Sequence, residues 1–455
     1  MILILLLLPV PPFLEELAAP TTNAIRFGAV TVHLLLLCRF AWGSHVRQIS
    51  AILLLMFVFA CVSMCLGISH SLGNILTILR IGTFGIAFLF GVSLACRGRS
   101  NPGVASASCL KLLLAIGVLN ALFTLSQYLF PYVTRPLQEW FASVDKHMEL
   151  LPEQGRAFGF FGDPNTNAVM LLLLSLPGLA LFQLTAQRRY LGLGLFVFAC
   201  VLLTASRTGL ILAGVTVSVL CITSRKLKYL VALVAITWGA YEALEFLVET
   251  GTMREWFPYL SGLMFKIYGT LHGDYLDLES VKSFQARLTI WESELEWFYE
   301  YPIFGAGPLR DMNSGIVDNY YITLLSRYGM IGLALYVLFS VYVAGLSVVA
   351  ILRRERPFKE WGMLMFTSIV IVNVANCTIN AFPSVPIAMV SLLYAGYLAS
   401  LMDAFQPSFV KSRRGRQLSH MHVPSSKRRH PEYTRNNLRL ARGCHGGPSR
   451  HVRGT

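Results

Sequence analysis

The sequence predicts an all-α polytopic membrane protein of about twelve transmembrane helices, with a large outer loop that carries an amphipathic helix. Three observations predict it. Residues are 55% hydrophobic with a mean hydropathy of +0.58, and charged residues are only 14%, against about 25% in soluble domains. Apolar runs recur at a length suited to crossing a bilayer as helices, with no segments of alternating polarity such as a membrane barrel requires. Basic loops alternate along the chain with loops poor in Lys and Arg.

In chain order, apolar spans are expected at 1–17, 24–40, 49–67, 74–96, 108–130, 166–185, 190–205, 207–223, 228–248, 321–351, 361–380 and 385–403. The first lacks the basic n-region and small-residue cleavage site of a signal peptide, and Pro9, Pro11, Pro12, Glu15 and Glu16 make it a short, distorted span. The layout is N-terminal membrane helices over 1–130, an outer loop at 131–165, central helices over 166–248, a large outer loop at 249–320, C-terminal helices over 321–403, and a polar tail at 404–455. Arg39 and Arg47, Arg97 with Arg99 and Lys111, Arg188 and Arg189, Arg225 with Lys226 and Lys228, and Arg353 to Lys359 mark one set of short loops. The positive-inside rule puts that set in the cytoplasm. Residues 68–73, 131–165, the break near Ser206, 249–320 and 381–384 then lie outside, and both termini lie inside.

The tail holds twelve Lys and Arg against one acid, so it carries +11 of the formal +14. Its composition is that of a disordered, solvated segment able to touch anionic lipid. The high pI is therefore a property of the tail and gives no reason to expect nucleic acid. Nine cysteines fall mostly in or beside apolar spans, with no disulfide framework or zinc spacing. Cys61 and Cys65, four apart, read as buried small residues on one helix face. Five of ten histidines lie in the tail without ligand spacing, so neither a metal nor any other cofactor is expected.

Three arginines stand at the outer boundary. Arg156 lies in EQGRAFGFFGDPNTNAV, a glycine-rich aromatic loop whose Asp163-Pro164-Asn165 starts a helix. Either the aromatics hold that helix entry down at the interface, or Arg156 and the loop contact an anionic or sugar ligand. Arg207 lies in LLTASRTGLILAG, where two apolar runs abut. A charge in mid-span costs roughly 2.5–3.5 kcal/mol, so Arg207 belongs at the boundary or in a wet cavity, as an anchor or a ligand. Arg287 precedes Trp291 by one turn on a helix whose stripe Phe284, Leu288, Trp291, Leu295, Phe298 is amphipathic. It either pairs along that helix or meets phosphate at the headgroup level. Glu292, Glu294 and Glu296 read as the solvated face of the same helix. Tyr301-Pro302 and the turn Gly305-Ala306-Gly307-Pro308 stop it. Asp318-Asn319-Tyr320-Tyr321 follows before the next span, where Asp318 or Asn319 caps the helix, or Asp318 takes a proton from a hydroxyl. Arginine forks bind phosphate oxygens and stabilise a leaving pyrophosphate. By themselves these residues argue for a lipid-phosphate ligand.

Four pieces in order, RAFGFFGDPN, ASRTG, R-x3-W followed by EYPIFGAG, and DNYYITLLSRYGMIGL, resemble the O-antigen ligase/polymerase superfamily over roughly 150–345. The resemblance implies a GT-C-like fold in a bacterial inner membrane. It implies metal-independent inverting glycosyl transfer at the periplasmic face, from an undecaprenyl-pyrophosphate-linked glycan. It also implies pyrophosphate-binding roles for Arg207 and Arg287. Arg156, Asn165, Trp291, Asn319 and Tyr320 are expected at the substrate, and Asp318 as catalytic base. The ligases carry a His-Asn pair where this chain has Asp318-Asn319. That departure favours a polymerase of oligosaccharide repeat units making O-antigen, exopolysaccharide or capsule, with a chain-length regulator as candidate partner. A ligase acting on lipid A-core or protein is the alternative. A secondary transporter is the rival of another class, opposed by spans nearly free of mid-helix acids.

Overall fold

A computed structural model describes residues 43–67, 72–97, 102–130, 132–134, 156–204, 206–224, 278–308, 318–353, 355–379, 381 and 384–404. The spans expected at 1–17, 24–40 and 228–248, most of the loop 131–155, residues 249–277 and the tail beyond Ala404 lie outside them. The described residues are all-α. The α-helices are α1 (Ser44–Leu66), α2 (Leu72–Arg97), α3 (Pro102–Leu129), α4 (Pro164–Thr185), α5 (Arg188–Ala199), α6 (Arg207–Thr223), α7 (Leu278–Glu300), α8 (Tyr320–Arg353), α9 (Phe358–Ala375) and α10 (Val385–Ala404). Six of them, α1, α3, α4, α8, α9 and α10, are long and apolar enough to cross a membrane, and α6 and the Phe84–Cys96 part of α2 are shorter apolar helices. The chain is a multi-pass membrane protein; six spans stand on this footing, against the twelve expected from sequence.

Centre and periphery do not follow from apolarity alone, because lipid accepts an apolar face as readily as the bundle interior does. α4 and α10 are buried on nearly every side, although their hydropathy is below that of α1 and α8. α1 and α8 keep large apolar side chains exposed, among them Leu55, Val58, Val337, Leu338 and Val341, a surface suited to lipid. α2 packs tightly on α10. A Cβ at Gly396 would come within 2.0 Å of the Phe88 carbonyl oxygen, the close backbone approach that small residues permit between membrane helices.

The span expected at 190–205 is broken. α5 is twelve residues, about 18 Å, and is continued by a 3-10 turn, Cys200–Thr204. The tighter turn is held from outside, because the Leu203 carbonyl accepts the Ala157 N–H at 3.1 Å. α8 is also not one straight rod. At Gly329 the backbone takes φ 62°, ψ −167° inside the helix, and the freed groups are paired with the turn after α7. Ala306 N–H donates to Ser326 O (2.9 Å), Gly307 N–H to Arg327 O (3.1 Å) and Met330 N–H to Pro302 O (2.9 Å). α1 fastens the same junction, since Ser63 Oγ lies 2.8 Å from both Phe304 O and Arg327 O. The turn that stops α7 is thus also a dock for the kink in α8.

Helix ends sort into two groups. The loop 156–163, Ser206, the turn 305–307, Asn319 and Cys377 meet at one end of the bundle. At the other end His45 and Val46 N–H donate to the Asp403 carboxylate at 3.0 Å. Of these, the loop 156–163, Ser206, the turn 305–307 and Asn319 fall in loops expected outside, and His45 falls in the basic set.

Candidate functional site at one end of the bundle

At the loop end, Asp163 is the N-cap of α4: its Oδ2 accepts the Thr166 N–H at 2.7 Å, and Pro164 takes the first helical position. Ser206 is the N-cap of α6 and accepts the Gly209 N–H at 3.0 Å. Its hydroxyl donates to Asn165 Oδ1 at 2.7 Å, and the Arg156 Nη2 reaches the same oxygen at 3.4 Å, with Nε 3.5 Å from Thr204 O. Asn165 therefore joins two helix starts and Arg156. Arg207, the residue after the cap, is exposed. Burial holds the Arg156 guanidinium below its ordinary pKa, the Asp163 carboxylate opposes that, and the charge of Arg207 adds to it. The two cations are close enough to repel, and a bound anion would relieve that repulsion.

From the other side, α7 brings Arg287 to Asp318, with Nη2 3.3 Å from Oδ2 and side chains 43% and 34% exposed. At that exposure the pair contributes little to stability; it orients groups. Burial raises the Asp318 carboxyl above its usual range, Arg287 pulls it down, and Asp163 pushes it up. Asp163 thus acts on both Arg156 and Asp318. Arg156, Asp163, Arg207, Arg287 and Asp318 form one electrostatic cluster fed by four segments distant in sequence.

Asn319 is the cap of α8, its Oδ1 accepting from Tyr321 N–H (3.0 Å) and Ile322 N–H (3.3 Å), and its Nδ2 donating to Cys377 O at 3.3 Å. Asp318 is left to face Arg287. Tyr320, expected at the substrate, is only 7% exposed, bonded through its N–H to Asn376 O and set edge-on to Tyr336 at 5.2 Å. It belongs to the core behind the site. Trp291 is partly buried, and its indole Nε1 is buried with no hydrogen-bond partner among the described residues.

Glu294 corrects the reading of a solvated face. It is 1% exposed and accepts the Ser326 hydroxyl at 2.8 Å, while Leu288, assigned to the apolar stripe, is 38% exposed. The face of α7 that packs on α8 runs through Glu294, with Trp291, Leu295 and Phe298 of the stripe partly buried beside it. Cys65 is likewise exposed and Cys61 half-buried, so that pair is not a buried one.

From sequence Asp163 reads only as part of a turn and helix start; the signal for more is an acid directly before Pro at a boundary that also holds Arg156. A cavity of about 430 Å³ lies at the opposite end, lined by Phe182, Gln183, Ser224, Arg356, Lys359 and Glu360 among others, and shares no residue with this cluster. No group of three or more His, Cys, Asp or Glu side chains among the described residues is arranged to hold a metal.

The described residues are those of a multi-pass membrane protein with arginines and carboxylates gathered at one end of its helices. Residues 192–337 match the model of the family described as O-Antigen ligase, and over that stretch, roughly a third of its length, the chain is an O-antigen ligase family domain. The domain is of the ligase/polymerase type that carries out glycan transfer at membranes. It contains Arg207, Arg287 and Asp318; Arg156, Asp163 and Asn165 lie before it. No curated protein compared with the chain matches it.

Proposed function

We propose that this protein is a polymerase that joins undecaprenyl-pyrophosphate-linked oligosaccharide repeat units into O-antigen, exopolysaccharide or capsule at the periplasmic face of a bacterial inner membrane. The observation that carries the reading is the meeting of Arg287 with Asp318 at 3.3 Å inside the family domain, beside two further cations, Arg156 and Arg207. The electrostatics suit a lipid pyrophosphate, whose charge needs guanidinium partners. Both termini would be cytoplasmic.

In the proposed step the pyrophosphate of the growing chain lies against Arg207 and Arg287. Its negative charge competes with Asp318 for Arg287 and so frees the carboxylate. The hydroxyl oxygen of an incoming lipid-linked repeat attacks the anomeric carbon, and Asp318 takes the hydroxyl proton. The bond from the anomeric carbon to the pyrophosphate oxygen breaks with inversion, and undecaprenyl pyrophosphate leaves with the electron pair, its charge matched by the arginines. Arg156 and Asn165 would hold the donor, and Trp291 with Asn319 the sugar side. The guanidinium groups supply the charge a metal would otherwise supply, so transfer should persist in EDTA.

Arg207→Ala or Arg287→Ala should abolish polymer while the single lipid-linked repeat accumulates in the membrane. Polymer of normal length in both variants would sink the assignment. The family description favours a second reading, ligation of finished glycan to lipid A-core or protein. A deletion strain separates the two: repeats without polymer mean polymerase, and polymer without its anchor means ligase.

A further inference from the structure

Asn120, Thr124 and Gln127 stand on one face of α3 at spacings of four and three, all at most 1% exposed. An amide within an apolar span is costly unless its polar atoms are paired. These are paired with the loop that carries Arg156. Gln127 Oε1 accepts the backbone N–H of Phe158 (3.1 Å) and of Gly159 (2.8 Å), and Gln127 Nε2 donates to Gly159 O (3.2 Å). Asn120 Oδ1 accepts the Phe160 N–H at 3.1 Å, and Asn120 Nδ2 donates to Asn167 Oδ1 at 2.8 Å. Asn167 Nδ2 donates to Thr124 Oγ1 at 3.1 Å, and Thr124 Oγ1 donates to Asn120 O at 2.8 Å. The Phe160 ring stacks on Phe123 at 4.3 Å.

Three successive backbone N–H groups around a residue with φ +58° form the kind of concavity that elsewhere binds anions. Here side-chain oxygens from α3 fill it. The loop is consequently turned toward the membrane helices and leaves its cation, Arg156, as the group that faces the site. Gly159 permits the approach, since a Cβ there would fall 2.4 Å from Asn167 Oδ1 and 2.6 Å from Asn120 Oδ1.

We propose that Gln127, seconded by Asn120 and Asn167, is a positioning residue that clamps this loop and so sets Arg156 and Asp163 against Arg207 and Asp318 for binding the diphosphate of the lipid-linked donor. The proposal rests on the glycan-transfer reading for its substrate, but the clamp has a readout of its own. Because Ala157 and Phe158 are fully buried, trypsin can cut after Arg156 only when the loop opens.

The test uses the full chain in proteoliposomes, with trypsin on the site side and cleavage at Arg156–Ala157 followed by mass spectrometry. Gln127→Leu should speed that cleavage at least tenfold. With lipid-linked repeat unit purified from the deletion strain as donor, the same variant should raise KM about tenfold and change kcat less than threefold. Gln127→Glu, protonated at this buried site, keeps an oxygen for both N–H groups and an O–H for the Gly159 carbonyl, and should restore each value to within threefold. If Gln127→Leu does not accumulate, Gln127→Ser, which leaves room for water, makes the same comparison. Unchanged cleavage in the variants overturns the clamp. Faster cleavage with unaltered KM, or a loss confined to kcat, overturns the positioning role. Wild-type protein that transfers no glycan removes the proposed function, while the cleavage comparison still decides the clamp.

Discussion

Asn319 and Asp318 are adjacent and chemically close, yet the backbone assigns them different work. Asn319 supplies its oxygen to the first turn of α8, so Asn319→Ala should cost about 1 kcal/mol of stability, read as a lower denaturation midpoint. Asp318→Asn leaves that cap intact and removes the carboxylate. We expect transfer to fall 10²–10⁴-fold, the range typical of a lost general base, in a normally folded protein; undiminished transfer would deny Asp318 the role. Its stability should move the other way. A carboxyl raised on folding favours the folded state below its unfolded pKa, and that benefit is lost as pH rises through the folded value. The ionised Asp318 is then a cost at neutral pH, and Asp318→Asn should melt no lower than wild type at pH 7. Activity needs the ionised form, so it should fail as pH drops. Because Asp163 raises the Asp318 carboxyl, Asp163→Asn, which remains a good cap, should shift the acid limb of the pH–rate profile to lower pH. An unmoved limb would mean that Asp163 serves α4 alone.

Among elements, the junction of α7 with α8 decides where Arg287 stands. Gly329 holds φ 62° where a Cβ would lie 2.3 Å from the Ile303 carbonyl oxygen. Gly329→Ala therefore combines an unfavourable backbone region with a backbone clash. A loss of a few kcal/mol is expected, with transfer falling because the turn 302–307 can no longer seat α7. Thermal unfolding of the purified variant reports the first and membrane assays the second; a variant as stable as wild type would show that the junction relaxes freely. Here the sequence was half legible. EYPIFGAG reads clearly as a helix stop, and the starts of α4 and α8 follow from Asp163-Pro164-Asn165 and Asp318-Asn319. The kink could not be read, because Gly329 inside an apolar run has no local signature; its partner carbonyls lie some twenty-five residues upstream. Glu294 was misread for a related reason. Spacing along one helix reports its apolar residues, whereas burial of a carboxylate depends on finding Ser326 across the interface.

For the molecule as a whole, length, low charge and apolar periodicity were enough to establish a multi-pass α-helical membrane protein, since in lipid only helices and closed barrels satisfy the backbone. The order of short motifs was enough to point at the family whose domain spans 192–337. Loop charge grouped the helix ends, and the described contacts gather the loop 156–163, Ser206, the turn 305–307 and Asn319 at one end. Sequence alone also named Arg156, Arg207, Arg287 and Asp318, because a charge at a lipid boundary is conspicuous by its cost. Only the tertiary structure decided what these residues do to one another. It joined Arg287 to Asp318, put Asp163 within electrostatic reach of both Arg156 and Asp318, sent Tyr320 into the core, and hung the Arg156 loop on amides from α3. Burial and pairing are properties of neighbours brought together across dozens to hundreds of residues, and a linear pattern records one partner of each pair without the other.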